Sequence, residues 1–131
     1  MPTALIEYRQ KFEGFSETTQ EALLRKLANE LPYIVAPQLN IVGRKLHNGG
    51  VGESEIIVDA REYSRFARNV NDIQITVRAH CYKERVERIN FITGGIRRGV
   101  MEVMHDFGHN GKIGIEVDLI EMGYATIGKE D

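Results

Sequence analysis

Hydrophobic positions in the first 47 residues predict a strand, a helix and a second strand. A short apolar run over residues 4–8 is typical of a β-strand. Leucine and alanine then recur at helical spacing over 22–31, behind Ser16, whose side chain is suited to cap a helix. Pro32 is expected to end this helix, because proline lacks a backbone N–H. Apolar residues spaced over 38–47 predict the second strand.

A polar interruption follows the predicted second strand. Asn48, Gly49 and Gly50 predict a turn. The apolar residues within 55–59 could form the return strand of a hairpin. Residues 60–71 are polar, basic and without period, which is typical of a surface excursion.

The second half of the chain begins again with a strand and a helix. Apolar and polar residues alternate over 73–78, which predicts a strand with one buried face. Residues 83–104 carry apolar side chains at helical spacing and predict one long helix. Gly94, Gly95 and Gly99 each weaken that helix by about 1 kcal/mol relative to alanine, so we expect it to pack with its backbone close to a neighbour.

A loop over 106–111 and a last strand over 112–122 complete the pattern, and residues 123–128 form a tail. The order favours an α+β (α/β) fold of two βαβ units, with a four-stranded sheet and both helices on one face. A ferredoxin-like antiparallel sheet has the same order of elements, and the order alone does not separate the two. Because helices cover one face only, we expect the other face to be apolar and to need a partner.

Length and composition indicate one ordinary globular domain. The 131 residues are 42% hydrophobic and 27% charged, which excludes a disordered or fibrous chain. We therefore expect a single domain over 1–131, with a pseudo-repeat of 1–47 and 72–128 and an insert at 48–71. A net charge of −2 gives no field for nucleic acid. The lone Cys81 and the lack of a long apolar run or signal sequence predict a cytoplasmic protein without disulfides.

The sequence lacks the common motifs of catalysis. It contains no nucleophile elbow, no phosphate-binding loop after a strand and no metal-binding box. Residues 94–99 could resemble a phosphate loop, but close packing within a helix explains their glycines better. His105 and His109 are four residues apart, yet Gly108 and Asn110 favour a loop over a metal-binding helix face. We therefore predict no metal and no cofactor.

The amino terminus offers the one unusual base. Pro2 is a small second residue, which allows Met1 to be removed, and its free secondary amine would begin a strand that enters the core. Desolvation and nearby cations lower the pKa of an amine, so such a group can take a proton near neutral pH. If Met1 is retained, Pro2 contributes an amide nitrogen without basicity.

The Met1-Pro2 start, followed by two strand–helix–strand units, resembles the tautomerase superfamily. Residues 115–128, with their glycine-bearing end, are similar to the second strand and hairpin of 4-oxalocrotonate tautomerase. The length and residues 37–47, ending Gly-Arg-Lys-Leu-His, resemble 5-carboxymethyl-2-hydroxymuconate isomerase most. The resemblance covers most of the chain except residues 48–70.

This resemblance implies a homotrimer and a cofactor-independent isomerase that moves a proton between enol and keto forms of a small 2-hydroxydienoate or 2-oxo acid. It implies Pro2 as the acid/base and Arg44 as the group that holds a substrate carboxylate. Lys83 or Arg85, early in the second helix, is expected as a further clamp. Arg78 at a strand end and Tyr124 in the final hairpin are additional candidates for substrate binding.

Some residues depart from the family pattern. Glu116 stands where the short tautomerases have an arginine, and Asn71 and Asp72 open the second repeat in place of a proline. A lyase or hydratase variant of the same site is possible. The alternative is a non-catalytic oligomeric domain, of similar or ferredoxin-like fold, that binds a ligand or protein. In that case the arginines within 60–71 form the binding surface.

Overall fold

The computed structural model describes residues 1–121, and its elements follow the predicted β-α-β order twice. In chain order they are β1 (Thr3–Tyr8), α1 (Glu17–Leu39), β2 (Ile57–Glu62), β3 (Ile73–His80), α2 (Lys83–Glu87), α3 (Ile89–Asp106) and β4 (Ile113–Ile120), with a 3-10 turn at Glu53–Glu55 before β2. None of the helices in this part of the chain has the length and apolar character that crossing a bilayer requires.

The sheet consists of two parallel pairs joined by an antiparallel centre. Its strand order is β2-β1-β3-β4. β1 is parallel to β2, β3 is parallel to β4, and β1 and β3 run antiparallel with Thr3 opposite Arg78. Each parallel pair encloses a helix in its crossover, as a βαβ unit requires. The ferredoxin-like alternative, with an antiparallel sheet, is therefore excluded, and the expected pair of βαβ units is confirmed.

One hydrophobic core lies between the sheet and the helices. Ala4 and Ile6 of β1 point into it, as does every second residue of β3 from Ile73 to Ala79. These strand residues belong to the same buried cluster as the inner faces of α1 and α3. Because the buried side chains alternate along β1 and β3, both helices cover the same face of the sheet, as predicted.

The open face of the sheet is polar, so the expectation of an apolar face is wrong. The register places these residues on it: Thr3, Leu5, Glu7, Ile57, Asp59, Arg61, Gln74, Thr76, Arg78, His80, Gly114, Glu116, Asp118 and Ile120. Large apolar side chains are confined to Leu5, Ile57 and Ile120. A hydrogen bond and charge repulsion from Asp118 raise the pKa of Glu116. The alternation that buries one face leaves polar residues on the other.

The first helix begins as predicted but does not end at Pro32. Ser16 caps it, with its Oγ accepting a hydrogen bond from the N–H of Thr19 at 3.1 Å. The helix continues through Pro32 to Leu39. An interior proline costs about 3 kcal/mol. Val35 and Leu39, which follow Pro32, are fully buried, and each contributes roughly 1.5–3 kcal/mol. Burial of the last turns therefore offsets much of the cost of Pro32 and of Pro37, the second proline inside the helix.

The strand predicted over 38–47 is wrong, and so is the hairpin. Leu39 ends α1, and residues 41–50 form a loop in which Val42 is 89% exposed. The second strand of the first unit is β2, within the segment expected to be an insert, and it pairs in parallel with β1. The apolar residues of 38–47 combine the end of a helix with an exposed loop, which mimics the spacing of a strand.

The helix predicted over 83–104 is two helices. α2 ends at Glu87, and Arg88, with ψ of 17°, separates it from α3. The expected close packing of the α3 backbone is found at two of the three glycines. A Cβ on Gly95 would meet the side chain of Gln38, and a Cβ on Gly99 would lie 2.7 Å from Cγ2 of Ile34, whereas nothing described lies within 4 Å of one on Gly94.

Two matched glycine substitutions test this packing. Gly99→Ala is expected to lower the free energy of unfolding by about 1–3 kcal/mol, because the branched side chain of Ile34 has little freedom to move away. Gly94→Ala, in the same helix, is expected to raise it by about 0.5–1 kcal/mol, because alanine loses less entropy on folding. Urea unfolding of both variants measures the difference. Equal effects would show that α1 and α3 do not pack at Gly99.

Candidate active site

The topology brings the start of the chain to the ends of two other elements. Because β1 and β3 are antiparallel, the first residues of β1 lie beside the last residues of β3. The α1 helix returns across the sheet, so its C-terminus reaches the same edge. The main-chain carbonyl of Pro2 accepts a hydrogen bond from the N–H of Ile57 at 3.1 Å, which fixes the terminus against β2.

A cavity of about 230 Å³ opens at this edge. It is lined by Met1, Pro2, His47, Gly49, Gly50, Val51, Glu55, His80, Tyr82 and Arg85. Two of the six residues proposed from the sequence, Pro2 and Arg85, therefore share one concave site. Met1 is itself largely exposed. Its removal would free the Pro2 amine at the cavity wall without opening the core.

Arg85 is almost completely buried, with 3% of its surface exposed. Its Nε donates to the carbonyl of Leu39 at 3.0 Å, Nη1 to the carbonyl of His80 at 2.9 Å, and Nη2 to the carbonyl of Gly49 at 3.3 Å. Burial lowers the pKa of this guanidinium, but an arginine stays charged at any physiological pH. Arg85 therefore supplies a fixed positive charge at the cavity. Its hydrogen bonds also connect the end of α1, the end of β3 and the loop at Gly49.

Arg44 lies beside the cavity, against the ring of Tyr82. Its Cζ is 5.1 Å from the centre of the Tyr82 ring, and the Cζ of Arg85 is 5.0 Å from the same ring, within cation–π range. Arg44 also forms an ion pair with Glu84. The pKa of Glu84 is lowered by its own main-chain N–H and by Arg44. The guanidinium proposed to hold a substrate carboxylate is thus bound to a carboxylate of the protein.

Three further polar side chains in the cavity were missed by sequence reasoning. Glu55 accepts a hydrogen bond from the N–H of Gly52 at 3.0 Å, and its other oxygen lies 3.3 Å from Nδ1 of His47. The His80 ring meets Tyr82 edge-on, with 4.4 Å between ring centres. His80 could have been found from the antiparallel pairing of β1 and β3, because it ends the strand beside Pro2. Glu55 had no comparable signal, because its place depends on the fold of the 40–56 loop.

Three solved structures share the architecture of this chain at low sequence identity. The chain aligns with a macrophage migration inhibitory factor-like protein from Entamoeba histolytica at a TM-score of 0.54 and 12% identity, covering 92% of this chain and 89% of that one. It aligns with a 5-carboxymethyl-2-hydroxymuconate delta-isomerase at a TM-score of 0.56 and 13% identity, covering 100% and 95%. It also aligns with a fused 4-OT symmetric trimer at a TM-score of 0.51 and 15% identity, covering 91% of this chain and 85% of that one.

The chain has the fold of the tautomerase superfamily. No protein-family model and no curated protein matches its sequence. The likeness in structure at such low identity establishes the fold alone. What the tautomerase fold does in this chain therefore has to be argued from its own residues.

The remaining residues proposed for the tautomerase site lie outside the cavity or outside the described residues. Arg78 projects from the open face of the sheet, where its Nε lies 3.7 Å from the carboxylate of Asp118. Lys83 has an 84% exposed side chain, 4.0 Å from the carboxylate of Glu87. Tyr124 lies beyond residue 121, outside the part of the chain that the structure describes.

A larger hollow, of about 860 Å³, lies at the opposite end of the tautomerase-fold sheet. His109 lines it and is buried, with its Nε2 3.0 Å from Asp72 and its ring edge-on to Phe12. This hollow is distant from Pro2. Among residues 1–121, no group of three or more potential ligands is arranged to hold a metal ion. The smaller cavity at Pro2 is therefore the candidate active site.

The role of Arg85 can be tested by removing its hydrogen bonds. Arg85→Met is expected to lower the free energy of unfolding by about 3 kcal/mol or more, because three carbonyls lose a charged donor. Lys83→Met, two residues away on the exposed side of α2, is expected to change it by no more than about 0.5 kcal/mol. Thermal or urea unfolding measures both. Equal stability of the two variants would contradict the anchoring role.

Proposed function

We propose that this chain is a cofactor-independent tautomerase or isomerase that transfers a proton within a small 2-hydroxydienoate or 2-oxo acid. The amine of Pro2, once Met1 is removed, acts as the acid/base. The observation that carries the proposal is the position of Pro2 in a concave cavity backed by the buried charge of Arg85. An amino terminus directed into solvent would instead have favoured a binding domain.

The surroundings of Pro2 favour a neutral amine. A fixed guanidinium disfavours a second positive charge nearby, so the pKa of the amine is expected below that of a free α-amine, about 8. Glu55, in the same cavity, has the opposite influence. Its carboxylate is already engaged by the Gly52 N–H and by His47, which limits this effect.

The reaction needs one group that both accepts and returns a proton. The neutral amine takes the hydroxyl proton of the dienol, and the electron pair moves along the conjugated system to the far carbon. The ammonium so formed delivers a proton to that carbon, which gives the ketone and restores the neutral amine. Positioning the substrate and the amine together supplies much of the acceleration, and proton transfer adds about 10²–10⁴-fold.

Arg44 is proposed to hold the substrate carboxylate at the rim of the cavity. A guanidinium binds a carboxylate through two parallel hydrogen bonds and stays charged. Arg44 contacts Tyr82, which lines the cavity, so its fork lies near the entrance. The positions of Arg78 and Lys83 do not support a part for them in the same site within one chain.

We also propose that residues 1–131 form one domain that assembles as a homotrimer. A 4-OT neighbour is described as a symmetric trimer, and the outer strands β2 and β4 of the sheet each have one unpaired edge within the described residues. Exposed strand edges tend to pair with another chain unless they are blocked. The polar open face then makes contacts through charged and hydrogen-bonding groups.

A binding domain without catalysis is the second candidate. It is favoured by the loop after β2, where Phe66 is 72% exposed and the Cζ of Arg65 lies 5.0 Å from the centre of its ring. Exposed aromatic and arginine side chains are enriched at protein interfaces. The two candidates differ in one result, which is whether activity depends on the amine of Pro2.

The catalytic proposal is tested with protein whose loss of Met1 has been verified by mass spectrometry. We expect ketonisation of the enol form of phenylpyruvate or of 2-hydroxymuconate, with kcat/KM falling by about 10²–10⁴-fold in Pro2→Ala. The control is Pro37→Ala, the same change at an exposed position in α1. Titration of the Pro2 amine by NMR is expected to give a pKa below that of a free α-amine. Equal rates for wild type and Pro2→Ala would exclude the proposed base.

The oligomer is tested by light scattering coupled to size-exclusion chromatography. We expect a mass three times that of the 14.9 kDa chain. The measurement should be repeated at raised ionic strength, because the open face carries ionised side chains whose contacts are screened by salt. A chain that remains monomeric at micromolar concentration would contradict the trimer.

A further inference from the structure

A carboxylate of the protein is already paired with the guanidinium of Arg44 beside the candidate active site. Glu84, the second residue of α2, forms an ion pair with Arg44 through Oε2 and Nη2. The same guanidinium lies against Tyr82, which lines the Pro2 cavity. Glu84 therefore holds the position, relative to Arg44, that a ligand carboxylate would take at the rim.

The other arginine of the site cannot replace Arg44 in this task. Nε, Nη1 and Nη2 of Arg85 all donate to main-chain carbonyls. The guanidinium of Arg85 therefore already donates to the protein through all three nitrogens. It cannot form a bidentate hydrogen bond to a ligand carboxylate without releasing those carbonyls. A ligand that brings a carboxylate to the rim has to compete for Arg44.

The contact between Arg44 and Glu84 is of a kind that a ligand can displace. The two side chains are 34% and 41% exposed, so water can replace either partner. Exposed ion pairs are weak and are screened by salt. A glutamate is ionised near neutral pH, and the main-chain N–H of Glu84 together with Arg44 lowers the pKa of this carboxyl further.

We infer that Glu84 is a specificity-determining residue, whose carboxylate competes with the ligand carboxylate for Arg44 and so weakens binding of carboxylates relative to that of neutral ligands. This inference rests on the proposed function for the role of Arg44. It differs from that function in concerning equilibrium binding, which needs no basic amine at Pro2. Glu84 acts through Arg44 and is not itself a catalytic residue.

The test compares two glutamates of α2 that differ in what they contact. Glu84→Gln removes the competing charge, while Glu87→Gln removes the same charge from a residue paired with Lys83. Binding of phenylacetate and of its neutral analogue phenylacetamide is measured by protein NMR shifts, in the full chain and in its Pro2→Ala variant. Arg44→Gln serves as the variant that can no longer form an ion pair with the ligand carboxylate.

We expect Glu84→Gln to lower the Kd for phenylacetate by about twofold to fivefold, in keeping with the loss of one exposed ion pair. The Kd for phenylacetamide should not change, Glu87→Gln should leave both constants unchanged, and Arg44→Gln should weaken phenylacetate binding. Equal affinities of Glu84→Gln and Glu87→Gln for phenylacetate would overturn the inference, as would an absence of phenylacetate binding. Tightening without any Pro2-dependent turnover would support the inference and count against the catalytic proposal alone.

Discussion

The arrangement of the site depends on one buried guanidinium. Arg85 binds the carbonyl of Leu39, 46 residues earlier in the chain, together with that of Gly49, 36 residues earlier, and that of His80 at the end of β3. These carbonyls belong to the end of a helix, a loop and the end of a strand. The carbonyl of Leu39, in the last turn of α1, has no partner within its helix, whereas that of Gly49 also accepts a hydrogen bond from the N–H of Ile41. A buried carbonyl without a donor is costly, so Arg85 stabilises the meeting of these three elements.

The loop between α1 and β2 is organised around the same centre. The N–H of Ile41 donates to the carbonyl of Gly49 at 3.0 Å, so the strand-like residues 38–47 are folded back on themselves. Gly49 has a φ of 103°, and a Cβ on Gly50 would collide with the carbonyl of Arg44. The glycines therefore permit the close turn of the loop that carries Arg44 against Tyr82 and brings the carbonyl of Gly49 to Arg85.

Elements that depend on neighbouring residues could be predicted from the sequence. The predictions were wrong where contacts between residues far apart in the chain determine the structure. The alternation of β3 and the cap at Ser16 are visible in neighbouring residues, and both were confirmed. Pro32 was expected to end α1, yet the burial of Val35 and Leu39 in the core shared by the sheet and the helices keeps the helix intact. For the same reason Arg85 was expected to clamp a substrate, because nothing in its neighbourhood along the chain shows that three carbonyls converge on it.

A catalytic amino terminus poses a physical difficulty, because chain ends fray unless something holds them. In this fold the chain end is held because β1 lies at the centre of the sheet, with β2 on one side and β3 on the other. Thr3 is in register with Ile57 and with Arg78, and the carbonyl of Pro2 is already hydrogen-bonded. The pyrrolidine ring also ties the nitrogen of Pro2 to its own Cα, so the nitrogen follows the backbone that the two strands hold. The proposed base is therefore a ring nitrogen on a strand paired on both sides, which is better suited to keep a proton-transfer group in place than a flexible side chain would be.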